Sequence, residues 1–229
     1  KLFLSVSKII DEKPESLQTR YEKGRMGRYR AVMIAEDIGK DAAIRLEELS
    51  DSLSGLFIKT KPVRTYPYKS SAAHITGYVG AIGPEEFSKT KGLGYKRTDR
   101  MGRAGLELAY DSYLRGEHGA AQFEVDSKGR LIRVLSIKER TQGKLMELTL
   151  DAEIQKVASE AMGQNQGALV AMELERGGLL ALVSKPDYDP NIFVQSKKSQ
   201  STIRHVLADK HRPLINRVLS GEYPPGSTF

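Results

Sequence analysis

Cysteine is absent from the chain, which removes disulfides, thiolate nucleophiles and cysteine-ligated metals together. The compartment stays open, because cysteine-free proteins occur in all of them. No run approaches the roughly 18–20 consecutive apolar residues that a membrane-spanning helix needs. No segment has the order of a secretory signal either. The first residue is Lys1 rather than Met, so we expect a piece of a longer protein, with any membrane anchor ahead of residue 1. The histidines, His74, His118, His205 and His211, are scattered without metal-ligand spacing, so no metal and no cofactor is expected. Internal repeats and low-complexity tracts are lacking.

What is present suffices for one or two domains: 229 residues, 39% of them hydrophobic. The net charge of +7 would suit nucleic acid, acidic lipid headgroups or anionic wall polymers. The basic residues are spread out except for Lys23, Arg25, Arg28 and Arg30, where Tyr29 is the one interleaved aromatic. No nucleic-acid module pattern appears. The cluster reads as a solvated face, and nucleic acid is not expected as a partner.

Residues 1–24 read as helical, with Pro14 suited to a helix start. Arg30 to Ala35 reads as a strand. Asp41 to Ser54 reads as a helix with Ala42, Leu46, Leu49 and Leu53 on one stripe, capped by Gly55. Leu56 to Thr65 follows as an extended segment, giving a strand–helix–strand module over about 30–65. A polar loop over 83–100 carries a short helix. Gly105 to Leu114 reads as a helix with Leu106, Ala109, Tyr110 and Leu114 on one side. Gln122 to Leu135 reads as a hairpin turning at Asp126-Ser127-Lys128-Gly129, and Leu145 to Leu150 as another strand. Asp151 then suits an N-cap before a helix with Ile154, Val157, Ala158, Ala161 and Met162 on its stripe. Ala168 to Met172 and Leu179 to Val183 read as a buried antiparallel hairpin around Gly177-Gly178. A short helix is expected at 202–208, and a domain boundary near 143–150.

The chain ends Gly221-Glu222-Tyr223-Pro224-Pro225-Gly226-Ser227-Thr228-Phe229. Two prolines and a glycine do not fit inside a helix but can lead into one. Ser227 would then stand at a helix start, where backbone N–H groups and the positive end of the helix dipole favour developing negative charge. A lysine three residues on would face the same way, and burial would make it a usable proton acceptor. That is the physical sense of Ser-x-x-Lys. Here the motif is half present, with the lysine expected just beyond Phe229. Taken alone, Pro-Pro-Gly-Ser-Thr is weak, because a turn followed by a capping serine explains it too.

Other segments change the weight. In order they are His74-Ile75-Thr76-Gly77-Tyr78-Val79-Gly80, Gly102-Arg103-Ala104-Gly105-Leu106-Glu107 with Tyr110 and Leu114-Arg115-Gly116, Glu124-Val125-Asp126 and Gly129-Arg130. There follow Leu148-Thr149-Leu150-Asp151, Gly167-Ala168-Leu169-Val170-Ala171-Met172, Leu180-Ala181-Leu182-Val183-Ser184, Tyr188-Asp189-Pro190-Asn191 with Phe193, and Pro213-Leu214-Ile215-Asn216-Arg217. Together with the terminal motif this ordered set resembles the class B penicillin-binding proteins, most closely the penicillin-binding protein 2 group of cell elongation. The likeness is good over 64–229 and only in outline before that. At Glu173-Leu174-Glu175-Arg176-Gly177 the chain departs from the family's usual Asp-Pro-x-Thr-Gly turn.

The resemblance implies an α+β fold, with an elongated, irregular pedestal (dimerisation) domain over 1–145. The first part of an α/β, β-lactamase-like acyl-serine transpeptidase domain would follow over 146–229. It implies Ser227 as the acyl-ester nucleophile, D-Ala-D-Ala stem peptides as substrates, and β-lactams as covalent inhibitors. It implies a single-pass anchor in the inner membrane outside this chain, with this part on the periplasmic side. An elongation-complex scaffold protein and a membrane glycan polymerase would dock on the pedestal. The lysine and later motifs would lie past Phe229, so residues 1–229 alone are expected to be inactive. A division-type relative and a purely scaffolding module are the alternatives; a β-lactam sensor domain shares the nucleophile but lacks such a pedestal. Among the matched residues, Gly105, Gly116 and Gly129 read as turn or close-packing glycines. Leu106, Leu148, Leu169 and Leu182 read as core. Arg103, Glu107 and Arg217 read as buried or interdomain ion-pair members or as plain surface.

Overall fold

The structure is a computed structural model that describes residues 2–25, 31–50, 53, 55–60, 62–125, 131–194 and 200–223. It is a mixed helix-and-strand chain in two compact units, residues 1–62 with 125–130 and residues 63–124 with 131–229.

In the first unit, three helices share one small core. Helix α1 (Leu2–Ile10) ends where Asp11 takes a positive φ of 53°. Helix α2 (Pro14–Gly24) restarts on its proline, whose missing N–H costs nothing at a first turn. Helix α3 (Lys40–Ser50) supplies Leu46, which meets Val6 and Leu17, while Phe3, Ile10, Ile34, Leu56 and Ile58 close the rim. Full burial of each such side chain is worth about 1.5–3 kcal/mol. The helix expected over 1–24 is thus present as two pieces, and the one expected over 41–54 as Lys40–Ser50 among the described residues, with Leu49 of its expected stripe 39% exposed.

The strands expected on either side of α3 do not form among the described residues. Residues 31–35 stay irregular because the Ile34 carbonyl accepts from the Arg20 guanidinium at 2.6 Å rather than from a ladder. Leu56, Phe57 and Ile58 alternate inward and outward as a strand would, yet join no strand ladder among the described residues. Arg28, Arg30 and the 126–129 turn lie outside the described residues.

The second unit begins with a 3-10 turn at Lys69–Ala72 that runs into α4 (Ala73–Thr76). Strand β1 (Val79–Ala81), helix α5 (Pro84–Thr90) and strand β2 (Arg100–Gly102) follow, with β1 and β2 antiparallel and Val79 opposite Gly102. The single helix expected over 105–114 is two short ones, α6 (Gly105–Ala109) and α7 (Asp111–Arg115), broken at Tyr110 (φ −120°, ψ 27°). The break undoes the expected stripe: Ala109 and Tyr110 are exposed, and the buried residue is Glu107, 6% exposed.

Strands β3 (Ala120–Val125) and β4 (Leu131–Lys138) pair as a two-stranded ribbon. The strand expected at 145–150 is absent, because that stretch hangs on isolated bonds. Lys144 N–H donates to Tyr113 O at 3.0 Å, Thr149 Oγ1 to Leu179 O at 2.8 Å, and Asp151 N–H to Leu180 O at 3.0 Å. Leu148, expected in the core, is 45% exposed.

Asp151 caps α8 (Ala152–Met162) as expected, its Oδ1 accepting from the N–H groups of Glu153 and Ile154 at 2.9 Å each. The helix presents a different face from the expected one. Ile154 and Val157 face outward, Val157 at 62% exposure, while Gln155, Ala158 and Ser159 are buried. The reason is the Gln155 amide, which donates to Leu182 O at 2.9 Å and accepts from Leu182 N–H at 2.7 Å. It thus answers both main-chain groups of Leu182, as a neighbouring strand would. Strands β5 (Gly167–Met172) and β6 (Leu179–Lys185) form the expected antiparallel hairpin, with Leu169 opposite Val183, but β5 is not buried as expected: Val170 is 48% and Met172 53% exposed. Ala158, Ala181 and Val183 form its core, with Met162 and Leu169 packed alongside. The Glu173 carboxylate accepts from Arg176 N–H at 3.3 Å in the turn, doing what a shorter aspartate does elsewhere. Helices α9 (Gln200–Ala208) and α10 (Arg217–Ser220) complete the described chain.

Gly77 and Gly105 lock α4 against α6. Gly77 has φ 70° and ψ −151°, open to glycine almost alone, and a Cβ there would sit 1.8 Å from Ala104 O. Gly105 has φ 56°, and its Cβ would meet Ile75 O at 2.5 Å. Gly116 is likewise close-packed, against Thr141 O. Gly77→Ala is expected to lower stability by about 4 kcal/mol or more. A urea midpoint unchanged from wild type would contradict this packing.

Candidate functional site

Ser227 lies outside the described residues. What the structure describes is the stretch that leads to it, residues 209–223, and the side chains that hold that stretch. The chain reverses at Asp209, whose carboxylate accepts from His211 N–H at 2.8 Å, and Arg212 adopts a positive φ of 49°. Pro213 is buried. Asn216 then caps α10, its Oδ1 accepting from Val218 N–H at 3.1 Å and Leu219 N–H at 3.3 Å.

Two groups from distant sequence fasten this stretch. Ser184, at the end of β6, donates from its hydroxyl to Ile215 O at 3.2 Å and accepts from Arg217 N–H at 2.9 Å. His74, in α4, donates from Nε2 to Pro213 O at 2.8 Å. A carbonyl can only accept, so the hydrogen is on Nε2. The His74 carbonyl in turn accepts from Asn216 Nδ2 at 3.2 Å. The His74 ring stands edge-on to Tyr188, centroids 5.3 Å apart, and Tyr188 meets Tyr78 and Phe193 in the same way. Burial drives the His74 imidazole below its ordinary pKa, against the upward pull of the Pro213 carbonyl. Burial likewise raises the Tyr188 phenol.

Beneath this lies a polar knot built on Glu107. Its carboxylate pairs with Arg64 at 2.7 Å and accepts from Tyr66 OH at 3.3 Å, while Tyr66 OH accepts from Val79 N–H at 3.0 Å. Burial first, and the neighbouring Glu107 charge second, push the Tyr66 phenol well up. Asn191 grips the Tyr66 backbone from both sides: Tyr66 N–H donates to Oδ1 and Nδ2 donates to Tyr66 O, each at 2.9 Å. Gln155 Nε2 reaches Ser71 O at 2.6 Å, and Arg100 donates to Phe193 O at 3.0 Å and Val194 O at 2.8 Å. Segments 64–107 and 155–217 are therefore joined through side-chain bonds to main chain.

The three charged residues singled out in the sequence diverge. Glu107 is the buried ion-pair member. Arg103 pairs with Glu86 at 2.5 Å, which, with Gly83 N–H, holds that carboxyl at about 2. Arg217 has no ion pair among the described residues; its guanidinium donates to His211 O at 2.6 Å and Arg212 O at 3.3 Å, stapling the turn ahead of Pro213. Tyr66, His74, Ser184, Asn191 and Asn216 were not assigned roles from sequence. For His74, Ser184, Asn191 and Asn216 the available signal was a polar residue within the motifs that carried the resemblance; Tyr66 lies in none of them. Among the described residues no group of three or more acidic, histidine or cysteine side chains could hold a metal ion, and no helix is long and apolar enough to cross a membrane.

Residues 1–148 match the penicillin-binding protein dimerisation domain, and residues 167–229 match the penicillin-binding protein transpeptidase domain. The chain belongs to the penicillin-binding proteins that join these two domains. Peptidoglycan D,D-transpeptidase MrdA of Acinetobacter baumannii is 36% identical over 81% of this chain and 27% of its own length. MrdA of Escherichia coli K12 is 33% identical over 91% of this chain and 34% of its own length. The chain thus spans about a third of these relatives. Penicillin-binding protein PBP2 of Helicobacter pylori, solved in complex with MreC, superposes with a TM-score of 0.78 at 25% identity, over 94% of this chain and 40% of that one.

Glu107→Ala strands Arg64 and Tyr66 and is expected to cost about 3 kcal/mol. Arg64→Ala leaves the buried Glu107 carboxylate without its counter-charge and is expected to cost as much or more, about 3–5 kcal/mol. Urea melts of both variants check the order. His74 gives a pH signature. Its folded pKa is below the ordinary 6.5, so its contribution is intact above that value. It is lost as pH falls from there through the lowered folded value, because the unfolded chain takes up the proton first. His74→Gln should flatten that part of the stability profile.

Proposed function

We propose that the parent protein is a peptidoglycan D,D-transpeptidase of cell elongation and that Ser227 is its nucleophile. The observation that carries this reading is the transpeptidase-domain match reaching through Pro224-Pro225-Gly226-Ser227-Thr228. Ser227 Oγ attacks the carbonyl carbon of the penultimate D-Ala, passing its proton to the lysine expected just beyond Phe229. The amide C–N bond breaks, and the terminal D-Ala leaves as an amine that takes up a proton. An amine on a neighbouring strand then attacks the acyl ester, forming the cross-link and releasing Ser227. A β-lactam ring acylates the same oxygen. We place the pedestal at 1–145 and the start of the catalytic domain at 146–229, a division that the matched regions support. The parent is placed at the inner membrane, anchored outside this chain, with these residues on the periplasmic side.

A second role runs beside the first. The pedestal docks a scaffold protein of the elongation machinery, a reading supported by the Helicobacter pylori relative solved with MreC. A membrane glycan polymerase as further partner follows from the family resemblance.

The test uses the parent chain with its residues after Phe229. A fluorescent penicillin should label it with one adduct, on the peptide containing Ser227, and Ser227→Ala should abolish the label. Label retained in Ser227→Ala would sink the assignment.

A further inference from the structure

We propose that His74 is a positioning residue for the acyl-transfer serine. From the pedestal side it holds Pro213–Ser220 against the end of β6, and so sets where the catalytic segment begins. This rests on the reading of Ser227 as nucleophile. It goes beyond that reading by giving one pedestal side chain a share in the reaction.

The geometry is a clamp with two jaws. One is Ser184, on the hairpin of the catalytic part, which holds Ile215 O and Arg217 N–H. The other is His74, which is 7% exposed and grips the same stretch through its ring on Pro213 O and its carbonyl on Asn216 Nδ2. The jaws act on Pro213, Ile215, Asn216 and Arg217, within one short run of chain. Asn216 links the second jaw to α10, because the side chain that donates to His74 O also caps that helix. A shift at His74 is therefore passed to the last helix before the Pro-Pro-Gly-Ser-Thr stretch. Small misplacements of a nucleophile cost rate steeply. Pro213 O is the exposed point of the device: it is the carbonyl of a buried residue, and without its donor it has a desolvation penalty to recover by moving.

Packing alone would give His74 a different signature. Its ring lies edge-on against Tyr188, so a phenylalanine would keep the shape and lose the donor. A glutamine would lose the ring but put an amide N–H near the place of Nε2. The experiment measures the second-order rate of acylation by a fluorescent penicillin, with melting temperature alongside, in the full-length parent carrying His74→Phe, His74→Gln and Ser227→Ala. His74→Phe should acylate about tenfold slower or worse, the equivalent of one lost buried hydrogen bond, and His74→Gln should recover most of that rate. The reverse ranking, with phenylalanine fast and glutamine slow, overturns the proposal. Should His74→Phe fail to fold, Asn216→Asp decides. It keeps the cap on α10 and removes the donor to His74 O, so slowed acylation supports the clamp and an unchanged rate overturns it. Loss of label in Ser227→Ala with His74→Phe at the wild-type rate sinks the His74 role alone. Label surviving Ser227→Ala ends both readings.

Discussion

A carboxylate placed where water barely reaches governs the second unit. Glu107 is buried, and a buried charge is tolerated only when paired and hydrogen-bonded. Arg64 and Tyr66 meet that demand, and in doing so fix a stretch that would otherwise be an irregular strand-like connector. Tyr66, held there, offers its backbone to Asn191 and its hydroxyl to Val79 N–H. The β1–β2 pair, the aromatic group around Tyr188 and the turn at 189–193 are thereby placed relative to one carboxylate. Replacing it removes the reason for the others to stand where they do.

The two halves of this unit are joined by apolar and aromatic contact, as where Tyr78 stacks on Phe193 at 3.9 Å, and by side chains answering main-chain groups. Asn191 answers Tyr66, Gln155 answers Leu182 and Ser71, His74 answers Pro213, and Ser184 answers Arg217 and Ile215. Such bonds are individually modest, about 1 kcal/mol net each. They are directional, however, and specify one arrangement where greasy contact would permit several. For the stretch that leads to the proposed nucleophile, direction matters more than strength.

Much of this was legible in the residues. Asp151 as a cap, the β5–β6 hairpin, Gly105 and Gly116 as close-packed glycines and α3 with its Leu46 all follow from local chemistry. What did not follow are the places where tertiary contact overrode pattern. Ile154 and Val157 outnumber Gln155 in apolarity, yet Gln155 faces inward because it can satisfy both polar groups of Leu182. Tyr110 breaks a helix whose spacing looked continuous, and Glu107 takes the inner position because Arg64, forty-three residues away, is there to meet it. The 145–150 segment alternates like a strand but has no strand beside it. At the candidate site, the proposal of Ser227 rests on the company of the other motifs, and the residue lies outside the described residues. His74 carried no metal-ligand spacing, and its partner at Pro213 is invisible in sequence.

The long reach of these bonds has a consequence for how the protein comes into being. Tyr66 waits for Asn191 across 125 residues, His74 for Pro213 across 139, and the His74 carbonyl for Asn216 across 142. Contacts so distant in sequence form late and slow the search for the native state. A chain emerging at about 5–20 residues per second keeps Tyr66 and His74 without these distant partners for roughly ten seconds. Over that interval the newborn residues of the dimerisation-domain match are an unfinished surface, open to misassembly until those of the transpeptidase-domain match have been made.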